Sequence, residues 1–146
     1  MKTLRILTFV PITLVMSLVF NQPNLAQTPV IKINNQLPTD PLVVNGKSGG
    51  KITSNSSNCG YISTQASQII QITESLPYLR LTVEGQGKPT LLIDGPGGRF
   101  CVLADNYSAN KPEIAGFWQV GNYLLYIGNL SPGEHNYTLS ISQRKK

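Results

Sequence analysis

The sequence predicts an all-β domain, an antiparallel two-sheet sandwich of jelly-roll or Greek-key type with about eight strands and one disulfide. Short apolar runs separated by Gly, Pro, Asn and Ser recur about every ten residues, which is the spacing of an all-β chain. Within the runs apolar and polar residues alternate with period two, so one face is buried and the other wet. After the N-terminal segment no stretch keeps a helical period over about eleven residues.

The 146 residues suffice for one domain with a real core, less whatever the N-terminus removes. Met1–Arg5 is short and basic, ILTFVPITLVMSLVF is an apolar run of fifteen residues, and NQPNLAQT is polar with a small residue at Ala26. That order is the order of a secretory signal peptide over residues 1–26, and the apolar run falls short of the ~20 residues that span a bilayer. A retained anchor is the alternative, because Asn24 stands where a cleavage site prefers a small residue. Removal makes the protein secreted or periplasmic, with no membrane contact afterwards.

Thr28–Asp40 carries two prolines and no sustained period, so residues 27–41 are an extended linker or a first edge strand. The sandwich is expected over residues 42–142. Its candidate strands are LVVNG, CGYIST, QIIQIT, PYLRLTVEG, PTLLIDG, RFCVLA, PEIAGFW, NYLLYIG and HNYTLSIS. In PYLRLTVEG the residues Leu79, Leu81 and Val83 face inward against Arg80, Thr82 and Glu84. HNYTLSIS repeats this with Tyr137, Leu139 and Ile141 inward. NYLLYIG is apolar on both faces, as suits a central strand covered on each side.

Two cysteines, Cys59 and Cys101, in an exported chain predict a disulfide that closes a 42-residue loop. The closure is worth roughly 4 kcal/mol in a chain-entropy account. Pro96 and Gly97 match the central pair of a type II turn, which would join PTLLID to RFCVLA as a hairpin. Gly121 permits a tight turn into NYLLYIG, and Tyr123 can bury its ring while its hydroxyl returns to loop backbone.

The segments PYLRLTVEG, PTLLIDGPGGRFCVLAD, PEIAGFWQVGNYLLYIG and NYTLSIS resemble, in that order, the bacterial pre-peptidase C-terminal domain. The resemblance covers roughly Gly46 to Ser142. It implies a secreted jelly-roll-like sandwich of the kind often appended to exported enzymes. Some members bind calcium, and the resemblance therefore raises a Ca²⁺ site here. Asp94 is too far to share an ion with Asp105, since six residues of strand separate Arg99 from Asp105, roughly 20 Å. The set that remains is Asp105, Asn106 and Glu113 around the loop NYSANK, although Lys111 stands where an acid would serve a metal better.

Other chemistries find little support. His135 is the single histidine, it lies in a turn, and no Gly-x-Ser-x-Gly elbow accompanies it. The glycines of GPGGR lack a following Lys-Ser/Thr and precede a strand, so they do not form a phosphate loop. The net charge of +5 comes from the ends: without Lys2, Arg5, Arg144, Lys145 and Lys146 the body holds seven basic against seven acidic residues. A basic stripe for nucleic acid is therefore absent. Residues 143–146 read as a disordered basic tail. Asn55, Asn106, Asn129 and Asn136 each begin an Asn-x-Ser/Thr sequence and read as Asn-rich surface turns.

Trp118, Phe117 and Tyr107 admit a core reading and a sugar-stacking reading, and core or rim packing is the preferred one. The expected function is that of an exported, non-catalytic module with a binding or structural role, whose partner is an extracellular or periplasmic protein or polysaccharide. The alternatives are Ca²⁺-assisted attachment to sugar or protein, and a small secreted hydrolase or protease-associated inhibitor.

Overall fold

The computed structural model describes residues 27–54 and 58–146; the expected leader and the Asn55 sequon lie outside the described residues. Among the described residues there are twelve strands and no helix. In chain order they are β1 Val30–Ile33, β2 Leu42–Ser48, β3 Ile52–Thr53, β4 Tyr61–Ile62, β5 Gln68–Ile72, β6 Leu76–Gly85, β7 Pro89–Gly95, β8 Gly98–Val102, β9 Ala104–Asp105, β10 Lys111–Trp118, β11 Gly121–Asn129 and β12 His135–Ser142. Eight of these run five residues or more. The excess over the expected eight consists of β1 and three two-residue pieces.

They form two sheets. One contains β1, β5, β11, β4 and β3 in that order, with β7 also on β11 and β8 on β7; the other has the order β2-β12-β6-β10-β9. Sequence neighbours therefore repeatedly change sheet, as Greek-key connections require. Nearly all ladders are antiparallel. The exception is β1, which runs parallel to β5 from Val30 opposite Ile69 to Ile33 opposite Ile72. β1 lies at the edge of its sheet, and Ile33 is buried in the core.

The core lies between the sheets. Leu79, Leu81 and Val83 of β6 meet Tyr123, Leu125 and Ile127 of β11 in one cluster, as the alternation requires. Each fully buried aliphatic side chain of this kind stabilises by about 1.5–3 kcal/mol. NYLLYIG is apolar on both faces because β11 is central: it pairs with β5 and with β7. A second, smaller cluster of Cys59, Ile62, Leu92, Cys101 and Tyr126 covers the opposite face of that sheet. The disulfide Cys59–Cys101 lies in it.

Two sequence expectations are corrected by long-range partners. Asn129, read as a surface turn, is fully buried. Its side-chain oxygen accepts from the backbone N–H of Lys88 and of Ser131, each at 3.0 Å, and its amide donates to the Gln86 carbonyl at 2.9 Å. It thereby ties the β6–β7 connection to the end of β11. Asn129→Ala is expected to cost about 1–3 kcal/mol in urea denaturation, because backbone groups lose their partner; a loss under about 0.5 kcal/mol would contradict this role.

The tail, expected to be disordered, instead lies against the body. The Gln143 N–H and the Ser142 hydroxyl donate to Asp40 at 3.0 and 2.6 Å, and Lys146 pairs with Glu113 at 2.8 Å. The body supplies carboxylates placed to receive it. Asp40 is held below its ordinary value of 3.8, first by the Ser142 hydroxyl and, against the opposing effect of burial, also by the Gln143 N–H, Arg144 and Arg80. For Glu113 burial pushes upward, but Lys146 and Thr82 outweigh it and the carboxyl titrates below 4.5. Carboxyls depressed in the folded state contribute stability above their unfolded values and lose it as pH falls through the folded ones. The melting temperature should therefore decline below about pH 5. The deficit of the double variant Asp40→Asn, Glu113→Gln should be present at neutral pH and shrink as pH falls below the ordinary carboxyl range through the depressed folded values. A deficit that stays constant across that range would refute the linkage.

Candidate functional site

A groove opens where the chain changes sheet. β8 pairs with β7 in one sheet, and after Leu103 the chain becomes β9, which pairs with β10 in the other. β9 covers only Lys111 and Pro112 of β10, so the rest of that strand faces a wedge whose far wall is β8. The wedge encloses ≈ 440 Å³ and is lined by β8 with its turn and by Ile114 to Gln119. That volume lies within the roughly 300–1,000 Å³ of ligand sites.

Its floor is rigid. Trp118 is 5% exposed, its indole N–H donates to the Leu79 carbonyl at 3.1 Å, and its ring meets Tyr123 edge-on at 4.8 Å. The Tyr123 hydroxyl donates to the Gln119 carbonyl at 2.9 Å, four residues upstream, fixing the turn between β10 and β11. Burial raises the pKa of this phenol, and the bond to Gln119 opposes the shift. Gly121 sits in that turn with φ +150°, and a Cβ there would stand 2.5 Å from Pro96 Cγ. The two turns therefore pack together, and only glycine fits.

The rim is aromatic. Phe117 is 68% exposed and Phe100 is 41% exposed. Phe117 stands opposite a bulge in β6: Gly116 pairs with Leu79 but Trp118 with Leu76, so Pro77 and Tyr78 together oppose one residue. Adjacent aromatics thus part company, with Trp118 in the core and Phe117 on the surface. Tyr107 is fully exposed in the β9–β10 loop and does not line the groove.

The hairpin that closes one end departs from its expected form. Pro96 and Gly97 do make the turn, but the glycine with positive φ is Gly98, at +102°, rather than Gly97. A type II turn needs the positive dihedral at its second central residue; here it falls one position later, at the first residue of β8, which pairs with Gly95.

Of the three oxygen donors proposed for calcium, the two carboxylates have protein partners. The Asp105 carboxylate accepts the Ser108 N–H at 2.8 Å within its own loop, and Asn106 is exposed beside it. Glu113 accepts the Thr82 hydroxyl at 3.0 Å and pairs with Lys146. Asp105 lies opposite Lys111, whose ammonium pairs with Glu84 at 2.6 Å. Among the described residues no group of three or more His, Cys, Asp or Glu is placed to hold a metal. The carboxylates of Asp105 and Glu113 thus each hold a hydrogen bond or an ion pair of their own. His135 begins β12 with its ring 3.2 Å from the Pro132 carbonyl, and the Ser48 hydroxyl bonds the His135 carbonyl instead of its ring. Among the described residues no helix is long and apolar enough to cross a membrane.

No family model matches the sequence. An uncharacterized protein of Synechococcus elongatus is 37% identical over 125 residues, covering 83% of this chain and 87% of that protein. Among solved structures, the pre-peptidase C-terminal domain of a collagenase from Bacillus anthracis superposes with a TM-score of 0.50. It covers 80% of this chain and 97% of that domain at 13% identity, a likeness of fold. The chain therefore belongs to one family with the Synechococcus elongatus protein and is built as a β-sandwich of the pre-peptidase C-terminal type.

Proposed function

We propose that this protein is an exported, non-catalytic β-sandwich module that attaches to another macromolecule at the cell exterior through the groove between β8 and β10. The observation that carries the reading is the aromatic rim: Phe100 and Phe117 expose their rings beside a preformed apolar cleft with a rigid floor. Exposed apolar surface around a cleft marks a contact site. Export is supported by the basic, apolar, polar order of residues 1–26 and by the disulfide. A catalytic role would need a histidine ring or carboxylate pair aimed at a cleft, and the groove lining offers neither. The partner is an extracellular or periplasmic protein or polysaccharide, and the near-neutral body argues against nucleic acid.

The test is retention of the protein on isolated native cell-envelope material. The double variant Phe100→Ala, Phe117→Ala should lose at least about tenfold in apparent affinity with its melting temperature unchanged. Addition of a chelator should change nothing, since attachment by this route does not use Asp105, Asn106 or Glu113. Retention of the double variant at the wild-type level would remove the groove as the attachment site.

A further inference from the structure

The groove has a second property besides its aromatic rim: one of its walls is an unpaired strand edge. β9 ends its ladder at Ala104 opposite Pro112, and from Glu113 to Trp118 β10 pairs with β6 alone. A strand with one neighbour turns alternate backbone N–H and C=O groups outward without partners. Native sheets blunt such edges with charged side chains or proline. Pro112 and Glu113 guard the end next to β9, but Ile114, Ala115, Gly116, Phe117 and Trp118 contain neither. This edge is left chemically open.

The side chains around it decide what could use it. Gly97, Gly98 and Gly116 have no atom within 4 Å of the place a Cβ would occupy, so an incoming chain can approach the backbone closely. No charged residue lines the groove, and a partner segment bearing charge there would lose its hydration without compensation. A sugar fares poorly as well. The Trp118 N–H and the Tyr123 hydroxyl donate to the Leu79 and Gln119 carbonyls, so of the side chains only the Gln119 amide is left to answer several hydroxyls, and the edge backbone groups lie at strand spacing rather than around a ring. Buried hydroxyls without partners cost about 1–3 kcal/mol each. A peptide backbone, in contrast, carries donors and acceptors at the strand spacing of the edge itself.

Resting on the attachment reading above, we infer that the occupant of the groove is an extended, uncharged polypeptide segment of a partner protein. It adds as a strand to the open edge of β10 and seats alternate apolar side chains against Phe100 and Phe117. Main-chain hydrogen bonds supply the affinity and the two rings supply the choice of side chain.

The full chain is screened against a library of capped nine-residue peptides that alternate apolar and uncharged polar residues, with cellohexaose and chitohexaose as the sugar arm. Binding is followed by amide chemical shifts and hydrogen exchange. The expected result is a set of peptides that protects amides within Ile114–Trp118. Methylating one edge-facing peptide nitrogen should weaken binding about three- to tenfold, while methylating its neighbour has less effect. Phe117→Ala should weaken the same peptides. Three results overturn the inference. Hexaoses that shift the groove signals while no peptide does would leave the attachment reading standing and replace the partner class. Concentration-dependent self-association through β10, with no competing peptide, would make the occupant a second copy. A groove that responds to no ligand would remove both this inference and the attachment reading.

Discussion

Reducing the Cys59–Cys101 bridge, or replacing both cysteines with alanine, is expected to lower stability by about 2–5 kcal/mol. At roughly 4 °C per kcal/mol, where the ranges for smaller and larger domains meet, the melting temperature should drop by about 8–20 °C. One source is the entropy of the 42-residue loop in the unfolded chain. The other is local. Cys101 belongs to β8, a strand whose ladder is with β7, and Cys59 precedes the two-residue strand β4. The bridge fastens both to the outer cluster with Ile62 and Leu92, and the Cys59 carbonyl accepts the buried Thr90 hydroxyl at 2.7 Å. Hydrogen exchange should therefore accelerate first in β8 and around residues 58–62, while β6 and β12 stay protected by partners on both sides. A melting shift below about 3 °C after verified reduction would mean that the small cluster holds these segments without the bond.

Trp118→Ala should cost about 3–5 kcal/mol, whereas Phe117→Ala, one residue away, should stay within about 0.5 kcal/mol. The difference follows from where the rings lie. Trp118 fills the core, contacts Tyr123 edge-on and satisfies the Leu79 carbonyl; Phe117 looks outward. Urea denaturation measures both, with a shifted midpoint at constant slope for Trp118→Ala. The reverse ranking would make Trp118 a surface platform and Phe117 a structural residue, and it would undo the account of the groove. Because Trp118 is also the groove floor, its variant cannot report on binding. Phe117→Ala can, and for that reason it carries the binding tests above.

The amino-acid sequence alone determined what depends on local pattern. β6 and β12 were legible because alternation over seven or eight residues admits one assignment of faces, and the burial of Leu79, Leu81, Val83, Leu139 and Ile141 follows from it. The pairing of Cys59 with Cys101 was legible because two cysteines allow one bridge. The Tyr123 hydroxyl finds its acceptor four residues away, within reach of any local reading.

What only the tertiary structure decided depends on partners distant in sequence. Asn129 meets Gln86 and Lys88 more than forty residues away, so its sequence neighbours, which look like a turn, gave no sign of burial. The tail is held by Asp40 across about one hundred residues. Glu113 pairs with Lys146, 33 residues on, a partner that its sequence neighbours do not announce. The groove was the least legible feature of all. It exists because β8 and β9 leave one sheet for the other at Leu103, and because a bulge in β6 sits opposite Phe117. Alternation specifies which way a residue points within its own strand, whereas the distance between two strands in different sheets is set by the closure of the whole sandwich.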